Sequence, residues 1–370
     1  MALAGPVILA GCARTQSVEN TFEGVQTLVS QRAGHVVVWN RSSEDDRVVM
    51  ERVNAMLAHE LSVGQAVQIA LLNNPRLQAT YEQIGISQAD LVQAGLLQNP
   101  IFSVSARFPD GGGGTDLELG ITQQFISLLS IPLKQRLAEA ELKRTQIEVA
   151  AAVLDLSAEV EHQVYEIQAA QQLLELQRTI VDAASASVAV AQELRNAGNT
   201  TELDLARRLA MREETQLDWI DSQVRLTLER ERLQVLLGIA DSQTQWTVAP
   251  RLADLPDTDV SLDQLESLAT TQRLELLVAR QNLEVAARRI KLIQPFAAMP
   301  DAEIGIDSEH ETDGQWLTGP NVAFPIPLFD QGQASIARGD AEFRQARNEF
   351  LATRVEIASE VRSAHAEMQS

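Results

Sequence analysis

Ile101-Phe102-Ser103-Val104-Ser105-Ala106-Arg107-Phe108 alternates apolar and polar side chains, and so does Asp116-Leu117-Glu118-Leu119-Gly120-Ile121-Thr122. Period-two alternation puts Phe102, Val104, Ala106 and Phe108 on one face of a strand, with Ser103, Ser105 and Arg107 on the other. Between the two runs lies Asp110-Gly111-Gly112-Gly113-Gly114, a flexible turn or loop. Pro100 stops the helical pattern that precedes them. The stretch therefore predicts a strand pair set between helices. The alternation fits a hairpin on a soluble core and an apolar-out, polar-in piece of a water-filled barrel equally well.

The same order recurs. Ser62-Val63-Gly64-Gln65-Ala66 has a counterpart in Ser261-Leu262-Asp263-Gln264-Leu265, an offset of 199 residues. A helical segment follows each, with Arg76-Leu77 in the first copy and Glu275-Leu276 in the second, and runs to Pro100 or Pro300. In the second copy Ile304 and Ile306 alternate with Glu303, Gly305 and Asp307. A polar loop, Ser308 to Gly314, then leads to a strand irregular at Pro320. Ile131-Pro132-Leu133 matches Ile326-Pro327-Leu328, and Glu159-Val160 matches Glu360-Val361 at an offset of 201. Ordered identities of this kind mark an internal repeat. Each copy reads helix, strand, loop, strand, helix. Strands are expected near 101–108 and 116–125, then near 301–307 and 316–326. Four strands in one chain cannot close a barrel, so a membrane reading demands several copies.

Between Lys134 and Arg195 there is no proline or glycine, and Leu142, Val149, Val153, Leu156, Val160, Val164, Ile167 and Leu174 form a helical seam. About 60 residues of helix would extend roughly 90 Å. Gly198 suits a helix end, and Thr200 or Thr201 suits the cap of a returning helix that runs to Leu237. Leu203, Leu205, Leu209, Leu217 and Ile220 give that helix an apolar face. Residues 134–238 thus read as a long antiparallel hairpin whose seam neighbours must cover. Its counterpart begins near Gln331, and no return arm follows, so the second copy reads as C-terminally incomplete.

The chain has 370 residues, is 45% hydrophobic and 4% aromatic, and carries a formal net charge of -21. This composition suits long helices and argues against general binding to a nucleic-acid backbone. The charge suits a solvated acidic exterior or a cation-favouring pore. Leu9-Ala10-Gly11-Cys12 ends a short apolar run and resembles a lipoprotein signal, which makes Cys12 the lipidation candidate. No later run reaches the roughly 20 apolar residues of a membrane-spanning helix.

Taken in order, Leu61-Ser62-Val63-Gly64-Gln65-Ala66, Ala70-Leu71-Leu72-Asn73-Asn74-Pro75-Arg76-Leu77, Gln93 to Pro100, the two Ile-Pro-Leu returns and Gly198-Asn199-Thr200-Thr201-Glu202-Leu203-Asp204 resemble the TolC-like outer-membrane efflux protein family, and its heavy-metal branch most. The resemblance covers about residues 60–370. It implies a mainly α protein with membrane β: an internally repeated protomer forming a trimeric 12-stranded barrel continuous with a periplasmic α-helical tube. It further implies a homotrimer that serves as a passive outer-membrane exit duct, lipid-anchored and palmitoylated, for substrates such as heavy-metal cations. A periplasmic membrane-fusion adaptor and a proton-driven inner-membrane pump are the implied partners. Leu194, Gly198, Leu203, Asp204 and Leu205 are the adaptor-contact candidates, though residues alone also fit a solvated turn. Alternation assigns Ser103, Arg107, Glu118, Thr122, Glu303 and Asp307 to the lumen, and Phe102, Val104, Leu117, Leu119, Ile304 and Ile306 to lipid.

The domains expected are a signal and lipobox at 1–12, an N-terminal arm at 13–60, a first repeat at 61–240, a linker at 241–260 and a second repeat at 261–370. The stretch from Arg41 to Leu57 reads as an extra helix or as an extended lipoprotein arm. A lipoprotein scaffold of helical hairpins without channel activity is the alternative, and an envelope-associated enzyme is a further one. The five histidines, His35, His59, His162, His310 and His365, have no zinc-site spacing, and no nucleotide loop or hydrolase elbow is present. His310 between acidic residues fits a polar loop better than a metal site. No catalytic residue, metal ligand, cofactor or nucleic-acid partner is expected.

Overall fold

The computed structural model describes residues 18–108, 110, 114–239, 246–254, 261–298, 302–311 and 313–369. Cys12, with the whole signal-like segment 1–12, lies outside them. In chain order the elements are α1 (Val18–Ala33), α2 (Ser43–Leu57), β1 (Glu60–Leu61), α3 (Val63–Asn73), α4 (Pro75–Gly95), β2 (Ile101–Arg107), β3 (Asp116–Gln124), α5 (Phe125–Asn196), α6 (Glu202–Leu237), β4 (Thr247–Val248), α7 (Leu262–Gln272), α8 (Leu274–Ile293), β5 (Glu303–His310), β6 (Trp316–Ala323) and α9 (Gln333–Met368). They fall into two compact units.

One unit holds Gln83–Glu148 and Val260–Ser370, with the described part of Met1–Val25. Its antiparallel sheet has the order β2-β3-β5-β6. Phe102 stands opposite Ile121, Ile121 opposite Ile306, and Ile306 opposite Pro320, so one register carries the apolar face across all the strands. Pro320 is tolerated because β6 is an edge. Beside the sheet, α7 and α8 pack on α9. A Cβ at Gly339 of α9 would lie 3.2 Å from Ile290 Cγ1, which shows how closely the two helices approach. Arg289 donates to Glu141 at 3.1 Å and to Glu342 at 3.5 Å, tying α8 to α5 and α9. The helix α5 starts directly after β3 and continues through Pro132. Proline offers no N–H, so the carbonyl one turn earlier, on exposed Leu128, has no helical donor.

The other unit holds Gln26–Glu82 and Val149–Asp259. Ser62 and Gln65 cap α3 reciprocally: Gln65 N donates to Ser62 Oγ, and Ser62 N donates to Gln65 Oε1. Asn74 Oδ1 accepts from Arg76 N and Leu77 N, capping α4. Asn73 Nδ2 donates to the carbonyls of Leu237 and Gly238, and Asn74 Nδ2 to that of Leu236. Two adjacent asparagines thereby satisfy the orphan carbonyls at the end of α6. Parallel β1 and β4 pair beside them, Leu61 against Val248. The core gathers Leu61, Ile69, Leu72, Tyr81, Leu233 and Trp246, all fully or almost fully buried.

The α5 seam is as the sequence predicts through its middle. Val149, Val153, Val160, Val164 and Ile167 are all buried, whereas Leu156 and Leu174 are half-buried. The apolar face expected on α6 is different. Buried positions there include Thr215, Ser222, Glu229 and Leu233, while Leu203, Leu217 and Ile220 are exposed. Leu217 is two residues on from Thr215, about 200° around the helix. The helix therefore packs through a polar row and turns an apolar row of Leu217, Ile220, Val224 and Leu228 outward.

Four expectations drawn from the family resemblance are corrected. The trimeric 12-stranded barrel continuous with a periplasmic tube is replaced, among the described residues, by an open four-stranded sheet and a separate two-stranded one. Four strands are too few to curl back and close, so β2 and β6 remain edges. The transmembrane β-strand reading is not borne out by the strand lengths taken together: β2 has 7 residues and β5 and β6 have 8 each, short of the about 9–11 that span a bilayer, and only β3, with 9, reaches that range among the described strands. Among the described residues no helix is long and apolar enough to cross a membrane either. Among the described residues the chain thus closes no wall of its own and has no spanning helix, which corrects the passive exit duct and the embedded outer-membrane location as expected.

Candidate functional site

The α5–α6 turn begins as α5 runs out of donors for its last carbonyls. Asn199 N donates to Leu194 O at 2.8 Å and Gly198 N to Arg195 O at 3.0 Å. Gly198 makes this possible at φ +76°, in the left-handed region that favours glycine. Thr201 then caps α6: its Oγ1 accepts from Asp204 N at 3.1 Å and donates to the Asp204 carboxylate at 2.7 Å. That hydroxyl, with Arg207 and Arg208 nearby, holds the Asp204 carboxyl below its ordinary value. Arg195 faces Glu202 across the turn at 3.8 Å. Leu194 at the end of α5, Gly198 in the connection and Leu203, Asp204 and Leu205 at the start of α6 therefore sit around the α5–α6 turn. Leu194, Gly198 and Leu203 are exposed, while Asp204 and Leu205 are half-buried. The arrangement is a capped turn with Leu194 and Leu203 facing outward.

In the other unit, the sheet divides by face as alternation predicts. Ser103, Arg107, Glu118, Thr122, Glu303 and Asp307 share one face through the pairs Ser105–Glu118, Thr122–Gly305 and Gly120–Asp307. Phe102, Val104, Leu117, Leu119, Ile304 and Ile306 share the opposite face. On the polar side Arg107 reaches Glu118 at 3.2 Å and Asp116 at 3.6 Å, and Asn321 donates to Asp307. Asp116, then partial burial, then Glu118 and Glu311 push the Glu309 carboxyl above its ordinary value. A Cβ at Gly120 would lie 2.5 Å from Ser103 Oγ, so glycine keeps this face thin.

Three further features fall outside the expected sites. The asparagine clamp at Asn73 and Asn74 has a sequence signal in Asn-Asn-Pro, where a polar pair precedes a helix-starting proline. The β1–β4 pair has none, being two residues on each strand. Arg289 is one of many arginines in the sequence, and its two carboxylate partners lie far away along the chain. His310 packs edge-on against Trp316, ring centroids 5.0 Å apart. Among the described residues no three His, Cys, Asp or Glu side chains come together as a metal site.

No protein-family model matches the chain. The cobalt-zinc-cadmium resistance protein CzcC of Cupriavidus metallidurans is 21% identical over 315 residues, covering 81% of this chain and 71% of that protein. The outer membrane protein VceC of Vibrio cholerae matches with a TM-score of 0.66 at 17% identity, over 83% of this chain and 79% of its own. The CmeC outer membrane channel of Campylobacter jejuni matches with a TM-score of 0.58 at 14% identity, over 90% of this chain and 74% of its own. These relatives are a resistance protein and outer membrane proteins, one of them a channel. With its strand pairs and its capped helical turn, the chain has the fold of the outer membrane protein VceC and of the outer membrane channel CmeC.

Proposed function

We propose that the chain is a non-enzymatic lipoprotein scaffold of an efflux assembly, without channel activity of its own. Cys12 carries the lipid, and the two repeats, 61–240 and 261–370, present helical arms for packing. The scaffold acts as a homotrimer. Its α5–α6 turn docks a periplasmic adaptor through Leu194, Gly198, Leu203, Asp204 and Leu205, and the adaptor joins it to a proton-driven inner-membrane pump. The name of the resistance relative supports divalent metal cations as the cargo of that assembly. Within it the polar sheet face, Ser103 to Asp307, contacts water.

The observation that carries this reading is α6, which is packed on one side and apolar on the other. Leu217, Ile220, Val224 and Leu228 stay exposed while Thr215, Ser222 and Glu229 are buried. An uncovered apolar row on a helix marks a surface for protein–protein packing. Sedimentation of the full chain, with and without the adaptor, is the test. A trimer that retains the adaptor, loses it on Leu203→Asp, and gives no conductance in a planar bilayer agrees with the proposal. A monomer that never retains the adaptor overturns it, as does steady conductance from the chain alone.

A further inference from the structure

The chain contains no Asn-Gly pair and two Asp-Gly pairs, Asp110-Gly111 and Asp313-Gly314. An aspartate before a glycine is open to an uncatalysed rearrangement. The amide nitrogen of the following residue attacks the side-chain carboxyl carbon, and a residue without a Cβ leaves that approach clear. Asp-Ser pairs are the next most open, and Asp221-Ser222 and Asp307-Ser308 lie among the described residues. Folding decides which of these react, because the reacting atoms meet only where the backbone lets the side chain curl over its own next peptide.

Asp313, in the turn between β5 and β6, meets that condition. Gln315 N donates to its Oδ1 at 3.0 Å, a side-chain turn that folds the carboxyl over the intervening Gly314 amide. Gly314 N donates to Glu311 O at 2.9 Å and Glu311 N to Gln315 O at 2.9 Å, which holds the turn in this form. Gly314 has φ +90°, and a Cβ added to it would meet nothing within 4 Å, so the space beside it is open. Asp313, Gly314 and Gln315 are all exposed, which gives water access. The two Asp-Ser pairs are held differently. Asp307 lies inside β5, paired with Gly120 and Gly319, and its carboxylate accepts from Asn321. Asp221 lies inside α6, whose backbone hydrogen bonds fix the next amide.

We infer that Asp313 is a site of spontaneous isoaspartate formation. Gly314 N bonds to Cγ of the protonated carboxyl, the Cγ–OH bond breaks, and the hydroxyl leaves with the amide proton as water, closing a five-membered succinimide. Water then opens the ring at the main-chain carbonyl, and the proton taken up is released. The chain now runs through Cβ and Cγ, and the α-carboxylate is free. One water is lost and one regained, with no oxidant, reductant or enzyme. The product has one more backbone atom in the turn and no longer offers Oδ1 to Gln315 N. The inference does not depend on the scaffold reading.

The test holds the full chain for several weeks at body temperature and neutral pH, once folded and once in concentrated guanidinium chloride. The chain is then digested with a protease that cuts before aspartate and not before isoaspartate, and the peptides are weighed. In the folded chain the fraction uncut at Asp313, at unchanged mass, is expected to exceed that at Asp307 and at Asp221 at least tenfold. Asp313 is expected to convert at least as fast folded as denatured. No rise at Asp313 in the folded chain overturns the inference. Faster conversion in the denatured chain also overturns it, since the turn then protects the residue instead of presenting it. A rise at Asp307 equal to that at Asp313 in the folded chain overturns it as well, because the fold then selects nothing.

Discussion

Gly238 faces the backbone oxygen of Asn73 so closely that a Cβ added to it would lie 2.6 Å from that oxygen. Its φ of +68° lies in the left-handed region as well. The contact is where the end of α6 meets the asparagine clamp, so backbone conformation and packing select the same residue. Gly238→Ala is expected to lower stability by about 1–3 kcal/mol from the backbone conformation alone, and by more from the clash. Urea unfolding measures the loss, and an unchanged midpoint would show that the clamp does not hold this junction.

The two sides of the helical hairpin should respond differently to truncation. Ile167 is fully buried on α5, and Ile167→Ala is expected to cost about 2–5 kcal/mol. Leu217 is 63% exposed on α6, and Leu217→Ala should change monomer stability by no more than about 0.5 kcal/mol. Leu217→Glu should leave the melting temperature near that of the parent while weakening self-association in sedimentation. If Leu217→Ala is as damaging as Ile167→Ala, the outward row is in fact core.

Glu229 gives the hairpin a pH dependence. Gln163 Nε2 donates to its carboxylate at 2.9 Å, Arg232 adds contacts at 2.8 Å, and the charge of Arg225 is nearby. The Gln163 bond first, then Arg232 and Arg225, hold the carboxyl below its ordinary value of 4.5 against the opposing effect of burial. A carboxyl with a depressed folded pKa stabilises the fold above its unfolded pKa, and that contribution fades as pH falls through the folded value. Glu229→Gln should therefore melt below the parent at pH 7, and the two melting curves should converge as pH drops below about 4.5. Parallel curves over the whole range would assign the acid response to other groups.

At the turn, Thr201→Ala removes the acceptor for Asp204 N and the donor to the Asp204 carboxylate. Loss of a helix cap of this kind costs about 1 kcal/mol. Amide hydrogen exchange should accelerate in the first turn of α6 and remain unchanged at the α6 end near Leu237. Uniform acceleration along α6 would mean that the cap holds more than its own turn.

The strand pairs were legible because alternation fixes a face without reference to any distant partner. Phe102, Val104, Ile304 and Ile306 share a face in the sheet as the pattern requires. The helix end at Gly198 is local as well, and it is found where the sequence puts it. What failed to show was decided by distance. On α6, Leu217 and Val224 form one seven-residue row and Thr215, Ser222 and Glu229 another, and hydrophobicity alone picks the wrong one for α5. Gln163 tips the choice by reaching across to Glu229, a contact between residues far apart in the chain. The turn at Gly198 was legible, whereas its binding role rests on resemblance. The barrel was read from alternation in two strand pairs and from resemblance together, and alternation alone does not distinguish a barrel wall from an open sheet.

The Ile-Pro-Leu triplets also part company. Ile131-Pro132-Leu133 is helical within α5, whereas Ile326-Pro327-Leu328, preceded by Pro325, lies in an irregular stretch before α9. The first repeat therefore passes from β3 into α5 with no residue between them, and the second has residues 324–332 between β6 and α9. One junction is a lever and the other a tether. A twist applied to the first turns of α5 meets the inner strand β3 with no intervening loop, whereas one applied to the first turns of α9 must cross residues 324–332 before the β6 edge.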